Sequence, residues 1–155
     1  MGIVGCYAQN EISQKISYSI DEVTGVDPES DVQITMTISG DIISDSSPIE
    51  VRIIIQNLTD ERIVYGGGSS SCRCHLLIVD GHNEYRGYIP RFCTADHRPY
   101  NLEPGESKTC LLKWTGEILE RDVRSRKRLA PGSYEMVGQT GRYESAPVAF
   151  RIVHE

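Results

Sequence analysis

Val32-Gln33-Ile34-Thr35-Met36-Thr37-Ile38-Ser39 decides the fold class. Every second residue is apolar and those between are polar, which is the period of a strand with one face against a core and the other in water. Ile49-Glu50-Val51-Arg52-Ile53-Ile54-Ile55 repeats the pattern after the turn-rich Ser44-Asp45-Ser46-Ser47-Pro48, and Asn57-Leu58-Thr59-Asp60 breaks it. The two runs are placed to pair as neighbours. Further along, Leu76-Leu77-Ile78-Val79 and Tyr85-Arg86-Gly87-Tyr88-Ile89 flank Asp80-Gly81-His82-Asn83, a hairpin signal. Pro104-Gly105 and Pro131-Gly132 each form a corner feeding a strand, at residues 109–114 and 133–137, and a last strand is expected over 148–153. No segment carries a long apolar face at 3.6-residue spacing. The expectation is an all-β fold, an immunoglobulin-like antiparallel sandwich of about seven strands over residues 31–155. Residues 1–30 read as a tether or edge strand, through Ile16, Tyr18 and Ile20, followed by an acidic loop.

The chain has 155 residues, enough for one ordinary domain with its own core and no need of metal or disulfide merely to fold. Sixteen Lys and Arg stand against 22 Asp and Glu, a formal charge of -6. That balance argues against nucleic acid as the partner, since binding to phosphate backbones runs on cationic surface. The longest apolar stretches fall far short of the roughly 20 residues that span a bilayer as a helix.

Five cysteines stand at positions 6, 72, 74, 93 and 110. Apart from Cys6 they form an even set of four, as expected of an exported protein in an oxidising compartment, whereas in the cytoplasm they would stay reduced. Cys72 and Cys74, two positions apart, project to the same side of a strand and are badly placed to bridge each other, so each is expected to reach Cys93 or Cys110. Ile3-Val4-Gly5-Cys6 resembles the end of a bacterial lipoprotein signal and makes Cys6 a lipidation candidate, with a cell-envelope location as the corollary.

From Asn57 onward the chain resembles the bacterial intracellular proteinase inhibitor family, called BsuPI-like. The carrying segments are Asn57-Leu58-Thr59-Asp60-Glu61-Arg62-Ile63, His75-Leu76-Leu77-Ile78-Val79-Asp80, Asn101-Leu102-Glu103-Pro104-Gly105-Glu106-Ser107, Trp114, and Leu129-Ala130-Pro131-Gly132-Ser133-Tyr134. The resemblance implies a small immunoglobulin-like β-sandwich and inhibition of a serine proteinase. The cysteines, the stretch Gly66-Gly67-Gly68-Ser69-Ser70-Ser71 and the basic run over 121–128 are local additions to that pattern.

Several clusters carry candidate chemistry. Cys72, Cys74, His75, Cys93 and His97 supply the thiolate and imidazole that zinc or copper prefers, although spacing by one residue is unlike the usual paired-cysteine zinc ligands. Gly66, Gly67 and Gly68, and the cations Arg121, Arg124, Arg126, Lys127 and Arg128, are candidate partner-binding loops; if the chain is an inhibitor, the basic loop or the stretch from Gly66 to Ser71 is where a proteinase is expected to be engaged in extended form. Asp21, Glu22, Asp27, Glu29 and Asp31 lack the ligand order of a calcium loop. Asn57-Leu58-Thr59 matches a glycosylation acceptor but reads as turn chemistry. Trp114 shares a strand face with Cys110 and Leu112, and Tyr134 with Met136, which makes them core residues. Ser71, His75 and Asp96 sit in no nucleophile-elbow context, and no phosphate loop or paired-histidine helix is present, so no enzyme and no cofactor are expected. The sequence therefore reads as a protein-interaction module, with a proteinase inhibitor and a metal-handling envelope protein as the alternatives.

Overall fold

The structure, a computed structural model, describes residues 32–44, 47–120 and 125–154. The described residues form strands β1 (Val32–Ile38), β2 (Ile42–Ile43), β3 (Ile49–Asn57), β4 (Ile63–Gly68), β5 (Cys74–Asp80), β6 (Asn83–Gly87) and β7 (Arg98–Leu102). Then come β8 (Ser107–Trp114), β9 (Glu117–Leu119), β10 (Arg126–Arg128), β11 (Gly132–Thr140), β12 (Tyr143–Glu144) and β13 (Val148–Ile152), with no helix among them. The fold is all-β, as the alternating patterns require.

Three sheets result. In the order β1-β3-β8 the first is antiparallel throughout, with Val32 opposite Asn57 at one end of the β1 ladder and Ile49 opposite Trp114 at one end of the β8 ladder. The second runs β10-β9-β6-β5-β11-β13-β2, with β12 paired to β11 and a parallel contact between β13 and β2. A two-stranded ribbon, β4-β7, makes the third.

Alternate side chains explain why the first two sheets pack. Ile34, Met36 and Ile38 of β1, Val51 and Ile53 of β3, and Leu112 and Trp114 of β8 are all buried. So are Leu76 and Ile78 of β5, Met136 of β11 and Phe150 of β13, all in the same cluster. Each aliphatic or aromatic side chain so buried contributes roughly 1.5–3 kcal/mol. Trp114 meets Phe150 edge-on at 5.4 Å and donates its indole N–H to Glu117 O at 2.7 Å, so the one polar atom of this buried ring is satisfied. Tyr134 stacks on Phe150 and donates its hydroxyl to Ala130 O at 2.7 Å, which holds the corner entering β11. A second cluster, Val32, Ile55, Tyr65, Tyr100 and Leu102, lies beneath the ribbon.

Each of the seven strand segments expected from periodicity is present, as β1, β3, β5, β6, β8, β11 and β13. The hairpin forms at residues 80–83, with Asp80 opposite Asn83 and Gly81 at φ +56°. Six further strands appear. The most consequential are β4 and β7: Gly66, Gly67 and Gly68 are not a free loop but pair with Tyr100, Pro99 and Arg98. Glycine carries no side-chain period to read, and here it serves close packing, since a Cβ on Gly66 would lie 2.7 Å from Gly141 Cα. Arg126, Lys127 and Arg128 also form a strand, β10, in a hairpin with β9.

Asn57 does the turn chemistry its sequence context implies. It is wholly buried. Its Nδ2 donates to Glu61 O at 2.7 Å, Leu102 O at 3.1 Å and Glu103 O at 3.2 Å, and its Oδ1 accepts from the Thr59 backbone N–H and hydroxyl. A side chain so enclosed has no surface on which to carry a sugar.

Candidate functional site

Two disulfides organise one end of the molecule, Cys72–Cys93 and Cys74–Cys110. Each cysteine of the close pair does reach a distant partner. Cys74 opens β5 on its buried face and Cys110 lies on the inward face of β8, so their bond ties the second sheet to the first. Cys72 sits just before β5, and its bond to Cys93 fastens the segment between β6 and β7, residues 88–97. Bonds of this kind belong to an oxidising compartment.

That segment holds the most exposed large apolar side chain described, Phe92, at 99%. Around it the backbone is pinned on both sides. The Thr94 N–H donates to Ser71 Oγ at 2.9 Å, and the Thr94 hydroxyl donates to Asp96 Oδ1. Asp96 also accepts from the Ser70 N–H at 3.1 Å and pairs with Arg98 at 3.1 Å. The hydrogen bonds from Ser70 and Thr94 hold the Asp96 carboxyl far below its ordinary range. On the other side, Arg91 Nη2 donates to Cys74 O at 2.6 Å and lies 3.2 Å from His75 Nδ1. Partial burial, with Arg86 and then Arg91 beside it, lowers the His75 pKa to about 4, so its ring stays neutral and accepts from Arg91.

Next to this loop, β8 forms one rim of a groove of about 570 Å³. Ser70, Ser71 and Arg73 form one wall, Ile89, Pro90 and Arg91 another, and Thr109, Leu111, Lys113 and Thr115 the β8 side, with Cys74 and Cys110 also lining it. Arg73 is fixed by donating Nε to Ser70 O at 3.1 Å and by lying over the Tyr100 ring at 5.4 Å.

The candidates read from sequence are distributed as follows. Of the metal set, Cys72, Cys74 and Cys93 are spent in disulfides, which removes the thiolates that the reading required. His97 is exposed. Among the described residues no group of three or more His, Cys, Asp or Glu side chains is gathered to hold an ion. Gly66–Gly68 and the basic strand β10 lie outside the groove lining. Arg126 pairs with Glu117 at 3.6 Å and covers the Tyr88 ring, and Arg128 donates to Ser44 O at 3.4 Å. Cys6, residues 12–31, Arg121 and Arg124 lie outside the described residues. Sequence reasoning passed over Phe92 and Arg91; the available signal was an apolar residue flanked by Arg91 and Cys93 in a stretch without strand period.

No protein-family model and no curated protein matches the sequence. Among solved structures, the chain is similar to the Pseudomonas fluorescens alkylpurine DNA glycosylase AlkC bound to DNA containing an abasic site analog. They are 11% identical, with 98% of this chain and 38% of that chain covered and a TM-score of 0.52. It is also similar to β-glucosidase from Listeria innocua, at 13% identity over 84% of this chain and 17% of that chain, TM-score 0.47. A third is a β-glucosidase from Erythrobacter marinus, 14% identical over 79% of this chain and 15% of that chain, TM-score 0.47. The chain thus spans well under half the length of each, and what it shares with the first is fold alone.

Proposed function

We propose that this protein is an exported, non-enzymatic interaction module that engages a protein partner through the braced loop of residues 88–97. The single observation that carries the reading is Phe92, fully exposed on a backbone fixed by Cys72–Cys93 and by Ser71, Thr94 and Asp96. Leaving an aromatic ring in water has no structural return, whereas a rigid aromatic anchor entering a partner's pocket is the usual centre of an interface. Holding the loop in place beforehand also reduces the ordering cost of binding. The Tyr134–Ala130 corner bond and the intersheet bond Cys74–Cys110 support an immunoglobulin-like assignment of the sandwich, and with it the BsuPI-like resemblance. A lipid on Cys6 would hold the module at a membrane surface, and intact mass of protein from its own cell reads it directly.

The same loop favours a second reading, a serine proteinase inhibitor, because a disulfide-fastened segment outside the strands with an exposed Phe resembles a substrate that cannot relax after engagement. Titration of active-site-calibrated subtilisin-like and chymotrypsin-like proteinases separates the readings. Stoichiometric inhibition abolished by Phe92→Ala selects the inhibitor. Absence of inhibition, with a chemically cross-linked envelope partner that disappears in Phe92→Ala, selects the wider module. A partner retained by Phe92→Ala sinks both.

A further inference from the structure

We propose that the open edge of β8 and its groove receive an extended acidic segment of the partner protein, laid down as an added strand beside the Phe92 loop. This rests on the interaction-module reading and names the partner's chemistry. Among the described residues β8 pairs on one side only, with β3, through an uninterrupted ladder from Ile49–Trp114 to Gln56–Ser107. Among the described residues its other edge therefore leaves the N–H and C=O groups of alternate residues without a strand partner, and neither a proline nor a bulge interrupts it. Leu111, 68% exposed, stands in the middle of that strand. A chain added there would lie about 4.8 Å away, with its alternate side chains entering the groove.

Charge chooses the occupant. The groove is lined by Arg73, Arg91 and Lys113 and by no Asp or Glu, in a chain whose formal charge is -6. None of the three has a carboxylate partner among the described residues. Lysine on an edge strand also discourages unwanted pairing, but that role does not account for two arginines converging from other segments of the chain. Main-chain donors and acceptors beside uncompensated cations fit an extended polypeptide carrying carboxylates.

The test uses the disulfide-intact protein and fluorescein-labelled octapeptides of alternating Glu and Val, read by fluorescence anisotropy. The Glu peptide is expected to bind saturably and the matching Lys peptide not at all, with affinity falling about tenfold in Lys113→Glu. Two further peptides of unchanged charge, N-methylated at odd or at even residues, separate strand addition from plain charge attraction. One of the pair must lose binding and the other retain it, since only alternate main-chain N–H groups face β8. Equal binding by Glu and Lys peptides, retention of binding by both methylated peptides, or competition by a sulfated oligosaccharide with no methylation effect would each overturn the proposal. If the Glu peptide fails to bind while Phe92→Ala still abolishes capture of the partner, this inference falls and the module reading stands.

Discussion

Replacing Cys72 and Cys93 together by Ala should loosen the presented loop while leaving the sandwich folded. The bond closes a separation of 21 residues, and the chain-entropy relation assigns it about 3.3 kcal/mol at 25 °C. A domain of ordinary stability, about 5–15 kcal/mol, survives that loss. Cys74–Cys110, with a separation of 36, is worth about 3.8 kcal/mol on the same relation. Its removal also empties space between the two sheets, so C74A/C110A should be the less stable variant. Trp114 is the sole tryptophan and is fully buried, so urea titration followed by its fluorescence reports unfolding of the sandwich itself. C72A/C93A should shift the urea midpoint down with m somewhat raised, because the unfolded chain loses its cross-link and exposes more surface, and should lower the thermal midpoint by roughly 10 °C. The Thr94 amide, which donates to Ser71 Oγ at 2.9 Å, should lose hydrogen-exchange protection in C72A/C93A far more than the β11 amides do. If Thr94 keeps its protection, or the midpoint does not move, the bond does not brace the loop and the reasoning fails.

His75 predicts a pH dependence. Its folded pKa of about 4 lies below the ordinary 6.5, so its contribution is full above pH 6.5 and is lost as pH falls from there towards 4, because the unfolded chain takes the proton first. The midpoint of urea unfolding should fall across that window, and His75→Gln should flatten the fall. Asn57→Ala strands the carbonyls of Glu61, Leu102 and Glu103 in a buried turn and should cost about 2–4 kcal/mol, read by the same titration. Gly141→Ala places a Cβ 2.1 Å from Tyr65 O at φ +57° and should leave little folded protein, while Gly40→Ala, with open space around it, should change the midpoint by under about 0.5 kcal/mol.

What was legible in the sequence was whatever burial had written as a period. Ile49 to Ile55 alternate because one face of β3 meets the core, whereas in Val32 to Ile38 the residue types alternate but Thr35 and Thr37 are buried as well, at 6% and 1%, so the face expected in water is closed there. The β4-β7 ribbon left no such trace. Gly66, Gly67 and Gly68 have no side chains to alternate, and Pro99 reads as a strand breaker, yet it is tolerated in a two-stranded ribbon where one edge needs no donor. The same gap hid the candidate site. Residues 88–97 have no strand period, and what distinguishes Phe92 is its exposure, a property of the folded surface that a list of residues does not carry. The basic run, by contrast, drew the eye because charge is visible in sequence, and Arg126 and Arg128 turn out to be engaged in local contacts.

The two disulfides overlap along the chain in the order 72, 74, 93, 110, so neither closed loop lies inside the other. Cys74 belongs to both arrangements: its sulfur joins β5 to β8, and its carbonyl accepts from Arg91 in the presented loop. The Phe92 loop, the start of β5 and the open edge of β8 are thereby fixed relative to one another, within a fold whose core supplies the rest of the rigidity. On the proposed reading, a partner meeting that surface would find the aromatic anchor and the cationic groove already in register, with little ordering left for the moment of binding. Reduction should therefore weaken binding before it unfolds the sandwich, beginning with Cys72–Cys93, whose Cys93 is exposed to an attacking thiolate whereas Cys74 is buried. Mild thiol treatment followed by alkylation and mass mapping should label Cys72 and Cys93 first, with loss of partner binding tracking that label and Trp114 fluorescence unchanged. Binding that persists until Cys74 and Cys110 are labelled would place recognition on the sheets themselves and not on the loop.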